Sequence, residues 1–200
     1  LVVAGELSSQ RHLAATAFEH AVKVELEGLA MAGATVSFQI RPTDLGPFGA
    51  DEIELGLISR PNAPWVPISR GASGGELSRL MLAVQVVLAT ADPIDTFIFD
   101  EVDAGVGGAA AVEVGRRLAR LARTSQVIVV THLPQVAAFA DKHYVVQAGV
   151  GQKVSSTSIR EVAADERVVE ISRMLAGLSD SSAGADLATE LLDLAKAERT

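Results

Sequence analysis

The chain has 200 residues, 48% of them hydrophobic, which is enough for one well-buried domain with an extension. Its 17 basic and 25 acidic side chains give a formal net charge of −8, which argues against a general nucleic-acid binder acting through its overall field, although a local basic patch stays open. With no cysteine there is no disulfide framework, thiolate metal site or thiol nucleophile, and no apolar run approaches the roughly 20 residues that span a bilayer.

Residues 1–5 carry neither an initiator Met nor the basic region of a signal peptide, so the natural start is expected upstream. Residues 8–31 are predicted to form a helix, with Ser8 or Ser9 as its cap and Leu13, Ala17, Val24 and Leu29 recurring at helical spacing. Fewer than four heptads do not separate a coiled coil from a plain amphipathic helix on a core. Residues 35–40 and 52–58 alternate with period two and are predicted half-buried strands. A turn region with Pro42, Gly46, Pro47 and Gly49 lies between them, and Pro61, Pro64 and Pro67 mark a loop. Beyond Ser73 helix and strand alternate. The pattern gives helix 74–90, strand 95–100, helix 108–123, strand 126–131 and a short helix 133–140. Strands 143–147 and 154–162 follow, then helices 165–176 and 183–198. The runs 97–99 and 127–130 lack polar alternation, as parallel strands covered on both faces do. The predicted class is α/β, a mostly parallel sheet flanked by helices, preceded by a helix and a small antiparallel piece.

Three constellations carry chemistry. Ser73-Gly74-Gly75-Glu76 opens a helix, with Ser73 as N-cap and Glu76 completing a capping box. The same glycines bare backbone N–H groups at the positive end of a helix dipole, which suits a phosphate. Asp100 and Glu101 end a buried strand, where ligands of parallel sheets gather. One carboxylate can hold Mg²⁺ and the other orient an attacking water; for the pair taken alone a solvated strand exit is the simpler reading. Asp103 and Gly105 just beyond make a tight turn. Thr131-His132-Leu133-Pro134 ends the next strand, where His132 can face a transferring phosphoryl group or act as a structural hydrogen-bonder. Arg116, Arg120 and Arg123 share a helix face, either a phosphate-contacting stripe or an ordinary solvated surface. His12, His20 and His143 show no ligand spacing.

Taken in order, these residues resemble a known family. Residues 72–79 are similar to an ABC signature, 97–101 to a Walker B strand, 102–108 to a D-loop and 130–132 to a switch histidine. Gly-Gly-Glu at 74–76 points to the SMC-like DNA-repair and chromosome ATPases. Asp-Glu-Val-Asp-Ala-Gly-Val-Gly-Gly and Thr-His-Leu-Pro-Gln-Val-Ala resemble the RecN family of bacterial double-strand-break repair proteins, in its C-terminal half. The resemblance implies that residues 1–32 end a coiled-coil arm and that 33–200 form a C-terminal ATPase head lobe. It implies ATP and Mg²⁺ as ligands, with Asp100 on the metal, Glu101 polarising the attacking water and His132 sensing the γ-phosphate. Ser73, Gly74, Gly75 and Glu76 would bind the nucleotide of an opposite head, and Asp103 would lie at the shared interface. The implied partners are an N-terminal lobe, a second head and DNA, in the cytoplasm at the nucleoid and not at a membrane. No Gly-x-x-x-x-Gly-Lys phosphate loop occurs in the chain, so little hydrolysis is expected from it alone. A DNA-end-tethering module without catalysis and a transporter nucleotide-binding domain are the alternatives.

Overall fold

In a computed structural model, residues 2–71, 74–89, 91, 94–148, 157–176 and 182–199 are described. The chain begins with α1 (Val2–Gly28), an unbroken helix containing no proline. It starts ahead of both predicted caps. Ser8 and Ser9 lie inside it, Ser8 Oγ donating to Asp51 and Ser9 Oγ back to Gly5 O. The predicted apolar stripe is also not the packed one. Leu13 is 67% exposed and Val24 54%, whereas Val22, Leu26 and Leu29 are buried with Phe18 against them. Positions 18, 22, 26 and 29 share one helix face, and the head lies under that face. The helix ends with Ala30 in the left-handed region (φ 56°) while Met31 N donates to Leu26 O, a 6→1 bond that satisfies one of the last carbonyls.

Strands β1 (Thr35–Gly46) and β2 (Gly49–Ile58) form one long antiparallel hairpin, and β3 (Val66–Pro67) joins β2. The predicted turn region shrinks to residues 47–48, because pairing runs through Pro42 opposite Asp51 and resumes at Gly46–Gly49 after an irregularity. Proline is tolerated where the ladder is already interrupted. The tip lies along α1. Arg11 donates to Asp51 (2.8 Å) and to Phe48 O (2.7 Å), and these bonds with Ser8 hold the Asp51 carboxyl below its ordinary value. Trp65 lies on Gly56, where a Cβ would overlap the indole, and its Nε1 donates to Ser37 O.

After α2 (Ile68–Gly71) comes α3 (Gly74–Leu88), then β4 (Thr96–Phe99), α4 (Gly108–Leu121) and β5 (Gln126–Val129). β4 and β5 pair in parallel, Phe97 opposite Val127 and Phe99 opposite Val129. These four side chains face the core with Leu80, Ala83, Val114, Leu118 and the root of α1. The expectation of cover on both faces fails: Ile98 is 71% exposed, Ile128 46% and Val130 60%. Nothing among the described residues packs over that outward face. Short α5 (Pro134–Ala137) follows, then the antiparallel pair β6 (Tyr144–Ala148) and β7 (Thr157–Glu161). A 3₁₀ turn (Ala164–Glu166), α6 (Arg167–Ala176) and α7 (Ser182–Arg199) close a second, smaller core around Ala137, Ile171 and Ala188.

Candidate functional site

The site grows from the ends of the two parallel strands. β4 stops at Phe99 because the backbone turns sharply: Glu101 takes φ 56° and Gly105 φ 72°, with Ala104 N bonded to Glu101 O and Val106 N to Asp103 O. A glutamate in the left-handed region is uncommon and strained. The strand rule that would send Asp100 and Glu101 to opposite sides therefore does not apply. Both are exposed beyond the strand end, and the Asp100 carbonyl accepts from Ser78 Oγ at 3.0 Å.

Helix α3 brings its N-terminus to this turn. A Cβ on Gly74 would stand 3.0 Å from Glu101 Oε2, so the glycine leaves the gap through which the carboxylate approaches the positive helix end. A Cβ on Gly75 would sit 2.9 Å from Ala104 Cβ and 3.1 Å from its carbonyl. Glu76 lies in the first turn as predicted. Ser73 and its capping role fall outside the described residues.

Asp103 is only 2% exposed. Its Oδ2 accepts from the Thr131 hydroxyl and from His132 N (3.3 Å), and lies 3.4 Å from His132 Nδ1; Thr131 Oγ1 in turn accepts from Leu133 N. The carboxylate thus joins the turn after β4 to the segment after β5 and leaves the His132 ring largely in solvent. Arg79 ends the signature-like stretch, and the motif reading gives it no role. It is 6% exposed, donates Nη1 to Ala104 O at 2.8 Å, and has no partner for Nε among the described residues. Burial draws its guanidinium below the ordinary value, against the pull of nearby Glu76.

The structure thus brings Gly74, Gly75, Glu101, Asp103 and His132 into one connected cluster, with Asp100 at its edge. Among the described residues no group of three or more His, Cys, Asp or Glu is arranged to hold a metal. The donor set fits a cation that takes one carboxylate here and its other oxygens from phosphate and water, as Mg²⁺ does. The Arg116, Arg120 and Arg123 face is not a free cationic stripe. Arg116 pairs with Glu113 and Glu198, Arg120 with Glu25, and Arg123 meets the Glu198 carbonyl. Arg117 beside them bonds Glu25 of α1 at 2.8 Å and Glu113. These charges brace α4 against α1 and α7.

The fold places the chain in a class. It is 20% identical to an Smc head domain with a coiled coil and joint from Pyrococcus yayanosii, over 94% of this chain and 30% of that one, with a TM-score of 0.57. A second Smc head domain, from Pyrococcus furiosus, gives 20% identity over 80% and 38% of the two chains and a TM-score of 0.54. The fold is therefore the one these head domains share, an α/β lobe with a helical extension.

No protein-family model matches the chain. It is 53% identical to the DNA repair protein RecN of Streptomyces coelicolor, over 98% of this chain and 37% of that protein. It is 46% identical to the RecN of Mycobacterium leprae over 98% and 36%, and 48% identical to that of Deinococcus radiodurans over 72% and 25%. The chain belongs to the RecN family and matches between a quarter and little more than a third of the length of these relatives.

Proposed function

We propose that the chain is the C-terminal lobe of an ATP-hydrolysing head that acts in recombinational repair of DNA double-strand breaks. The observation that carries this is the meeting of Glu101 with the glycine-opened N-terminus of α3 beyond two parallel strands, with His132 tied to the same turn. The names of its relatives, DNA repair proteins, support the cellular role.

In this reading Glu101 orients and polarises the attacking water, and His132 contacts the transferring γ-phosphoryl group. Asp100 holds Mg²⁺, directly or through water; the ion neutralises phosphate charge when bound. The α3 N-terminus, Ser73 to Glu76, receives the nucleotide of a second head, and the turn anchored by Asp103 lies at the head–head interface. The triphosphate grip comes from an N-terminal lobe, since the chain has no phosphate loop of its own. That lobe covers the apolar outward face of β4 and β5, and the exposed stripe of α1 joins the other strand of a coiled-coil arm. DNA is held by the assembled protein, in the cytoplasm at the nucleoid. No described helix is long and apolar enough to cross a membrane.

The test is Mg-ATP hydrolysis by the chain alone and mixed with the separately made N-terminal lobe. Activity in the mixture only, abolished by Glu101→Gln, is the expected result. Robust hydrolysis by the chain alone, or full activity of the Glu101→Gln mixture, refutes the assignment.

A further inference from the structure

Arg79 is an expensive residue to keep where it is. A guanidinium is rarely this buried, and among the described residues it makes a single hydrogen bond, to the Ala104 carbonyl. Ala104 belongs to the turn that carries Glu101 and Asp103, and its amide bonds the Glu101 carbonyl. Gly75 makes the contact possible, because a Cβ there would press on both Ala104 and Arg79 Nη1 (3.3 Å). From Asp103 the connection passes through Thr131 to the backbone of Leu133, and directly to the His132 amide. One polar path therefore runs from the second turn of α3, through the turn after β4, to the histidine after β5.

We infer that Arg79 is a positioning residue, which with Thr131 registers Glu101 and His132 against the α3 N-terminus. It touches no substrate; it fixes where the reacting groups stand. The inference rests on the ATPase reading above. Misplacement of reacting groups by about an ångström is worth on the order of a hundredfold in rate, so small movements of this turn are enough.

The experiment uses the natural full-length protein, with Arg79→Met, Thr131→Val and their double variant, and Glu101→Gln as control. Each single change is expected to lower kcat tenfold or more while KM for ATP moves less than about threefold. The double variant is expected to be no slower than the worse single variant, because the turn is already released. Thr131→Ser, which keeps the hydroxyl, restores kcat. In the 200-residue chain itself, Arg79→Met accelerates hydrogen exchange at the His132 amide, a readout independent of hydrolysis. Multiplicative losses in the double variant, effects confined to KM, or unchanged exchange at His132 overturn the inference. A fully active Glu101→Gln overturns the ATPase reading instead, and the exchange result still decides the role of Arg79. If Arg79→Met does not fold, Thr131→Val with its serine rescue carries the same test.

Discussion

Replacing Leu26 by Ala separates two views of the first helix. If α1 were an arm merely leaving the head, its residues would matter little to the stability of residues 33–200. Leu26 is instead fully buried in the main core, together with Leu29, Leu80 and Leu118. Truncating such a leucine costs about 2–5 kcal/mol, the spread reflecting how far the cavity collapses. A well-packed junction of two helices and a strand hairpin collapses little, which favours a cost of about 3–4 kcal/mol. For a domain of this size each kcal/mol lowers Tm by about 2–4 °C, so a drop of about 6–16 °C is expected. Leu13→Ala, on the exposed stripe, should fall within about 0.5 kcal/mol of the parent. Thermal and urea unfolding followed by circular dichroism, on the 200-residue chain, measures both. A Leu13→Ala variant as unstable as Leu26→Ala, or a Leu26→Ala variant that melts like the parent, would refute the packing described for α1.

Gly56→Ala places a methyl group in the space of the Trp65 indole and should destabilise by about 1–3 kcal/mol. Trp65 is the only tryptophan, so its displacement is read directly as a red shift in fluorescence; an unchanged spectrum contradicts the contact. Burial lowers the proton affinity of His143 below its ordinary value of 6.5, Glu170 opposing this and Arg167 and Arg173 adding to it. In the window below pH 6.5 the unfolded chain then binds more protons than the folded one, so stability is complete above that window and falls as pH drops through it. Melting temperature should therefore decline between pH 7.5 and 5.5, and His143→Gln should flatten the decline; identical slopes count against the reading.

The order and type of the longer elements were legible in the sequence because each rests on local chemistry: period-two alternation in the hairpin, helical spacing in α1, and apolar runs in β4 and β5; the short β3 and α2, in and after a stretch read as loop, were not. What local chemistry does not encode is which face meets a neighbour. Leu13, Ala17 and Val24 make as good a stripe as Phe18, Val22 and Leu26, and only the position of the head decides between them. Glu101 shows the same limit. Its type and place at a strand end suggested a role, but its left-handed backbone arises from the turn that Ala104 and Val106 close. Asp103 and Thr131 are 28 residues apart, and nothing in their spacing predicts that one holds the other. Arg79 lies in the signature-like stretch, but its burial was not foreseen because arginines at helix positions are ordinarily solvated. The arginine face of α4 was open to two readings, and the carboxylates that settle it come from α1 and α7, distant in the chain.

The outward side of the β4–β5 pair has a consequence for how the chain behaves in a test tube. Ile98, Ile128 and Val130 present a surface composed like an interior, on a sheet of only two strands whose edges are unpaired among the described residues. Its transfer free energy, roughly 25 cal/mol per Å² of apolar area, is not collected when the chain folds. It is collected only when something is laid over the sheet. Open strands with apolar side chains also template contact between copies. Polar replacements at these three positions would thus barely move the melting curve, yet they would raise the concentration at which the chain stays clear and monodisperse. Here colloidal behaviour, rather than folding, depends on a covering surface.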